Sequence, residues 1–344
     1  MKTKIYRSKA PLRIGYAGGG TDVSPFSEIH GGYVLNATLN MFAFATIQPR
    51  TDGKIIFESK DLNEVKIHKN NKYIKPKGKL ILLQGVYNRI IKQFNKDALS
   101  CTITTYVDAP AGSGLGTSST LVVALIGAFM EWLKLPLGEY DIAHLAYDIE
   151  RKDLGMSGGK QDQYAATFGG FNFIEFYRDE KVIVNPLRIK SEYLSELEFN
   201  TLLYFTGRSR FSSNIIEAQR NNVQKKNSGS IEAMLKLKEQ AILMKEAILK
   251  GKIDEIGEIL DFGWKYKKQT AAEVSNPFLD EIYETACKAG STGGKISGAG
   301  GGGFMFFYCP KNSRYNVIEA IQKKHGGEFR RFQFTTSGLQ TWSI

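Results

Sequence analysis

The stretch Pro110–Thr120, PAGSGLGTSST, constrains the fold most, because a glycine-rich turn runs into hydroxyl side chains and then into the apolar run LVVALIGAFMEWLKL. Gly112, Gly114 and Gly116 let the backbone turn tightly and present unobstructed N–H groups. Thr117, Ser118 and Ser119 then fall at the N-terminus of a helix, where unpaired N–H groups and the positive end of the macrodipole favour an anion. The pattern predicts a phosphate cradle. Taken alone, the segment also fits an ordinary strand-to-helix turn capped by a hydroxyl.

With 344 residues, 42% of them hydrophobic and 24% charged, the chain is long enough for two domains and too apolar for disorder. The longest strongly apolar run, Leu121 to Met130, is too short to cross a bilayer, and MKTKIYRSKAPLRI lacks the apolar core of a signal peptide. A cytoplasmic protein with no membrane partner is expected. Cys101, Cys287 and Cys309 stand far apart with no CxxC and no paired histidine, so they predict neither disulfides nor zinc, but small buried residues. The net charge of +11 suggests an anionic partner: nucleic acid, a membrane surface or a phosphorylated metabolite. Lysines are scattered, as in KNNKYIKPKGK at 69–79 and KYKK at 265–268, without the aromatic interleaving of a single-strand binder; both runs read as solvated surface.

Residues 1–60 read as short strands with turns, 80–95 as a helix, and Cys101 to Val107 as a strand feeding the glycine cradle. Leu137 to Gly155 repeats at helical spacing with Glu150 near its end, and Phe171 to Phe176 reads as a strand. Character changes near Pro186. Beyond it lie a long helix from Ser228 to Lys250 closed by Gly251, and another with Asn276, Pro277 and Gly290 as N-cap, first-turn proline and terminal glycine. A glycine loop at 298–303 follows that helix and opens into a strand. A helix from Tyr315 to His325 and a last strand, FRRFQFTT, close the chain.

Gly298, Gly300 and Gly303 satisfy GxGxxG, but a loop between helix and strand reverses the dinucleotide-binding order. No GxxxxGK[ST] occurs. Asp261, Phe262 and Gly263 spell DFG inside a helical pattern with no HRD upstream, which is a chance match.

Three segments in order, APLRIGYAGGGTD, PAGSGLGTSST and KISGAGGGGFMFF, resemble the three motifs of the GHMP small-molecule kinases and span nearly the whole chain. Within that family, AGGGTD and GMSGGKQDQYAATFGG are most similar to the D-glycero-D-manno-heptose 7-phosphate kinases, and the likeness extends to the kinase portion of fucokinases. The resemblance implies an α+β, two-domain fold: residues 1–185 like the second domain of ribosomal protein S5, residues 186–344 ferredoxin-like, with the site between them. It implies an ATP- and Mg²⁺-dependent kinase acting on the anomeric hydroxyl of a heptose 7-phosphate. Another sugar kinase of the family, such as a fucokinase, is the near alternative; an RNA-binding protein using the S5-like domain is the distant one. A homodimer is left open, and no nucleic acid is expected.

The same resemblance assigns roles. Asp162 stands where the family carries its catalytic aspartate, and Arg13 where relatives place a cation near the reacting hydroxyl. ATP phosphates would lie on Pro110, Gly112, Ser113, Gly114, Leu115, Gly116, Thr117, Ser118 and Ser119. Mg²⁺ would take a hydroxyl of Thr117 or Ser118 and the carboxylate of Glu150, twelve residues before Asp162. Glu150 would otherwise pair with Arg151 or Lys152. Asp22 aligns with the sugar-binding aspartate of galactokinases, and Gly18, Gly19, Gly20 and Thr21 would admit sugar hydroxyls. Galactokinases carry Glu and His where this chain has glycines, which opens room for a bulkier sugar. Gly300 and Gly301 would floor the phosphates, and Lys160, Arg208 and Arg210 would meet the acceptor's own phosphate.

Overall fold

The computed structural model of the chain describes residues 4–95, 97–207 and 213–344. Its first layer is a mixed sheet of β1 (Tyr6–Ala17), β2 (Gly32–Pro49), β3 (Lys54–Ser59), β4 (Glu64–Lys69), β5 (Cys101–Val107), β6 (Phe171–Phe176) and β7 (Val182–Pro186). The leading 60 residues form long strands rather than short ones. β2 spans 18 residues, so that its first half pairs with β6 and its second half with β5 while β1 lies along the other edge.

Between and after these strands come α1 (Phe26–His30), α2 (Ile81–Ile90), α3 (Thr117–Leu133), α4 (Glu139–Asp148) and α5 (Gln161–Phe168). α3 is apolar almost all round and packs on β1 and β2, as expected of a helix inside a core. It begins directly after Gly116, whose φ of 78° makes the turn that a side chain would resist. The helical pattern before Gly155 ends in a π-helical turn, Ile149–Asp153, after α4.

The second layer contains α6 (Ser191–Asn200), β8 (Thr201–Phe205), α7 (Ser213–Gln224), α8 (Ser228–Leu249), α9 (Ile256–Thr270), α10 (Pro277–Lys288), β9 (Gly293–Ile296), β10 (Phe304–Tyr308), α11 (Ser313–His325) and β11 (Glu328–Arg330). Its four strands are antiparallel in the order β11-β8-β10-β9. Numbered within the sheet, that order is fourth, first, third, second, which is the ferredoxin-like arrangement. The glycine loop at 298–303 therefore follows a strand, β9, and not a helix as the sequence suggested; the terminal glycine at 290 left too little visible chain to reveal β9.

The expected last strand FRRFQFTT is also corrected. Only Glu328–Arg330 joins the second sheet, because the following backbone is claimed by the first: Asn40 N donates to Gln333 O at 2.9 Å and Thr335 N to Thr38 O at 3.0 Å. The chain then ends in β12 (Gln340–Ser343), paired with the start of β1. The three cysteines are free; Cys101 and Cys309 are buried and Cys287 is half-buried. Among the described residues no helix is long and apolar enough to cross a membrane.

Candidate active site

The three glycine motifs meet at one guanidinium. The β1–β2 register breaks between Pro11 and Arg13, where proline cannot donate, and Arg13 N turns instead to Leu115 O at 3.1 Å. The Arg13 side chain, 4% exposed, donates from Nε to Asp162 Oδ1 at 2.7 Å and from Nη1 to Gly114 O at 2.6 Å, and its Nη2 lies 2.5 Å from the same Asp162 oxygen. Ser297 Oγ, from the third motif, reaches Gly114 O at 2.9 Å. The second and third motifs touch backbone to backbone: a Cβ on Gly114, whose φ is +82°, would sit 2.4 Å from Ser297 O. Such an approach admits only glycine.

Asp162 lies in the first turn of α5, and Gly116 opens α3; a Cβ on Gly116 would stand 3.3 Å from the Asp162 carboxyl carbon. The carboxylate thus faces the N-terminal turn of α3, where the free N–H groups of the cradle point. Asp22 holds α5 in place. Its Oδ2 accepts from Lys160 N at 2.9 Å and Gln161 N at 3.0 Å, and its Oδ1 accepts from Gly20 N and Gln161 Nε2, both at 3.1 Å. A buried carboxylate at a helix start is favoured by the dipole as well as by these donors.

Glu150 and Arg151 occupy the π-helical turn, where the extra residue per turn brings both neighbours to the cleft. Glu150 is 1% exposed; its Oε2 accepts from Gln163 Nε2 at 2.5 Å, and its Oε1 lies 3.6 Å from Arg151 Nη1. Gln163 Nε2 also reaches Ser119 Oγ at 3.1 Å, tying the carboxylate to the cradle. Glu150 is thus a buried carboxylate on the cleft wall that also pairs with Arg151, although not at the surface.

The cleft so formed has a cavity volume of about 160 Å³. Arg13, Asp162, Glu150, Asp22, Gly19 and Gly20 line it, as do Gly112, Gly114, Gly116, Thr117, Ser118, Ser119 and Gly300. Other expected residues do not. Pro110 is exposed at the start of the turn, while Ser113 and Leu115 turn inward, lending only backbone oxygens to Phe304 N and Arg13 N. The Thr21 hydroxyl is spent on Gly18 O and Tyr33 O, and Gly18 packs against the Tyr33 carbonyl. Gly301 N donates to Val274 O. Lys160 departs most from expectation: its ammonium is buried away from the cleft, paired with Glu28 and 3.2 Å from Ser27 Oγ. Burial would raise the Glu28 pKa, but bonds from Lys160 and Ser24 outweigh it and hold the group below the usual carboxylate range. Arg208 and Arg210 lie outside the described residues.

The sequence reading missed Arg151, Gln161, Gln219, Lys267 and Ser297, all on the cleft wall. Lys267 belongs to the KYKK run read as solvated, yet it is 2% exposed. It shares the buried stripe of α9 with Leu260, Gly263, Trp264 and Thr270, and that spacing was the available signal. Burial pushes its pKa down to about 8, with Asp22 opposing the shift and Arg13 adding to it.

A cleft at a helix N-terminus, with a carboxylate and guanidinium facing the cradle, between an S5-like and a ferredoxin-like layer, defines a small-molecule kinase. The family models for the GHMP kinases' N terminal domain and C terminal domain match residues 82–170 and 244–327. The chain belongs to the GHMP kinases: it is a phosphotransferase with an alcohol acceptor and takes its phosphoryl group from ATP. It is 49% identical over 341 residues to the D-glycero-alpha-D-manno-heptose 7-phosphate kinase of Campylobacter jejuni, covering 99% of this chain and 100% of that protein. A crystal structure of a D-glycero-D-manno-heptose 1-phosphate kinase from Bacteroides thetaiotaomicron superposes with a TM-score of 0.84 at 45% identity, covering 98% of this chain and 99% of that one. The bifunctional fucokinase/GDP-fucose pyrophosphorylase of Arabidopsis thaliana is 28% identical over 335 residues, 94% of this chain but 31% of that longer protein.

Proposed function

We propose that the chain phosphorylates the anomeric hydroxyl of D-glycero-D-manno-heptose 7-phosphate, giving the 1,7-bisphosphate from which nucleotide-activated heptose for surface polysaccharide is made. The observation that carries the reading is the Arg13–Asp162 pair held against the start of α3. Asp162 accepts the proton of the anomeric hydroxyl as its oxygen attacks the γ-phosphorus, and the bond to the bridging oxygen of ADP breaks. Arg13 keeps the carboxylate oriented and offers positive charge where negative charge develops. The backbone N–H groups of the cradle hold the triphosphate without moving.

Mg²⁺ fits the residues present. Glu150 brings a buried carboxylate and Thr117 or Ser118 a hydroxyl to one side of the cleft, and phosphates and water complete the oxygen set this ion prefers. The ion, when bound, neutralises charge on the β- and γ-phosphates. The reading places the reaction in the cytoplasm, where ATP is supplied.

The names of the two heptose kinases set the acceptor phosphate at different positions, so ADP release is measured with heptose 7-phosphate, heptose 1-phosphate, unphosphorylated heptose and fucose. Heptose 7-phosphate should give the highest kcat/KM, by about 10²-fold over fucose, because a site that bonds a substrate's polar group discriminates strongly against an acceptor that lacks it. Preference for fucose would overturn the reading.

A further inference from the structure

We propose that Lys267 is a specificity-determining residue of the acceptor side of the cleft, its ammonium binding a phosphate oxygen of the substrate. This rests on the sugar-phosphate kinase reading above. Three cationic side chains line the cleft among the described residues: Arg13, Arg151 and Lys267. Arg13 has Asp162 at 2.5 Å and Arg151 has Glu150 at 3.6 Å. Lys267 has one hydrogen bond, Nζ to Gly19 O at 3.3 Å, and no carboxylate at ion-pair distance among the described residues. A buried ammonium left with unused N–H groups is costly unless an anion reaches it.

Position favours the acceptor over the nucleotide. Gly19 belongs to the first motif, the segment expected to admit the sugar and not the ATP phosphates, and a Cβ there would stand 3.6 Å from Gln161 Nε2 and 3.9 Å from Lys267 Nζ. Asp22, the expected sugar anchor in the same loop, already accepts four hydrogen bonds and cannot take a sugar hydroxyl without loosening α5. Lys160, one of the three expected phosphate ligands, is neutralised by Glu28, and the other two, Arg208 and Arg210, lie outside the described residues. Among the described residues that line the cleft, Lys267 is the cation without a carboxylate partner. The charged groups that act on it are Asp22 from the first-motif loop, Arg13 from β1 and Lys295 from β9; Asp162 from α5 and neutral Gln161 and Gln219 line the same cleft. Lys295 is itself buried, donates to Gly15 O at 2.6 Å, and is held well below its usual pKa by burial and by Lys267 and Arg13. The free site thus loses the Lys267 charge as pH rises through about 8.

The test uses Lys267→Met and Lys267→Arg with whichever sugar phosphate the wild type consumes, so a wild type inactive on heptose refutes the acceptor reading and leaves this one measurable. Lys267→Met fills a similar volume and removes a buried charge, so its melting temperature should equal or exceed that of the wild type at pH 7. Its KM for the sugar phosphate should rise at least about tenfold with the KM for ATP within about twofold. A rise confined to the KM for ATP would assign the contact to the nucleotide and overturn the proposal. Lys267→Arg should recover part of the affinity and abolish the loss of 1/KM expected of the wild type above about pH 8. Unchanged KM values in Lys267→Met, an equal rise in both, or a wild-type pH limb that persists in Lys267→Arg would overturn the proposal.

Discussion

One part of the cleft wall is backbone, the glycine turns at 112–116 and 298–302; another is side chain, Arg13, Asp22, Gln161, Asp162 and Lys267 drawn from separate elements. The glycine wall offers shape and N–H direction, so it needs particular φ angles and close backbone approach. The side-chain wall offers charge, so it needs each carboxylate and cation to be matched or left free. Shape of the first kind is written locally in a sequence; charge matching of the second kind appears only when the chain has folded.

Substitutions can break that division. Arg13→Met removes a group that bonds both Asp162 and the Gly114 carbonyl, and turnover should fall about 10²-fold with KM for ATP and acceptor both raised, as read by steady-state kinetics. Gly114→Ala disturbs the backbone wall alone: strain at φ +82° and the 2.4 Å approach to Ser297 O should raise the KM for ATP about tenfold while the acceptor KM holds. Glu150→Gln should lower turnover about tenfold and raise the Mg²⁺ concentration needed for half-maximal rate, which a metal titration at saturating ATP reads directly.

The smallest kinetic effect belongs to Lys160→Met, because its charge is spent on Glu28 outside the cleft. Acceptor KM should stay within about twofold, while denaturant unfolding shows a loss of about 1 to 3 kcal/mol for leaving Glu28 unpaired. Glu28 is held below its ordinary pKa, so its contribution is present above the unfolded carboxylate range and is lost as pH falls through the folded value. Wild type should therefore lose more stability than Glu28→Gln on acidification.

How much of this was legible follows the same line. The cradle could be read from its own glycine and hydroxyl spacing, whereas the cleft positions of Arg13, Asp162 and Glu150 and the ferredoxin-like half followed from the family resemblance. Lys160 was misplaced because nearness to Asp162 in sequence says nothing about side-chain direction: a step of two residues at α5's start turns Lys160 to Glu28 and Asp162 to Arg13. Lys267 was overlooked because a run of four basic and aromatic residues looks solvated until the phase of α9 is fixed by Trp264. The final strand was mistaken because FRRFQFTT has local β character, while two sheets compete for it and the first takes the part after Arg330.

The most direct test of the central claim, that the two walls converge to aim Asp162 at the phosphoryl group held on α3, is Asp162→Asn. Single-turnover kinetics with bound ATP should show the chemical step slowed at least about 10²-fold while ATP affinity stays within about threefold. A variant that transfers phosphate at the wild-type rate would contradict the account.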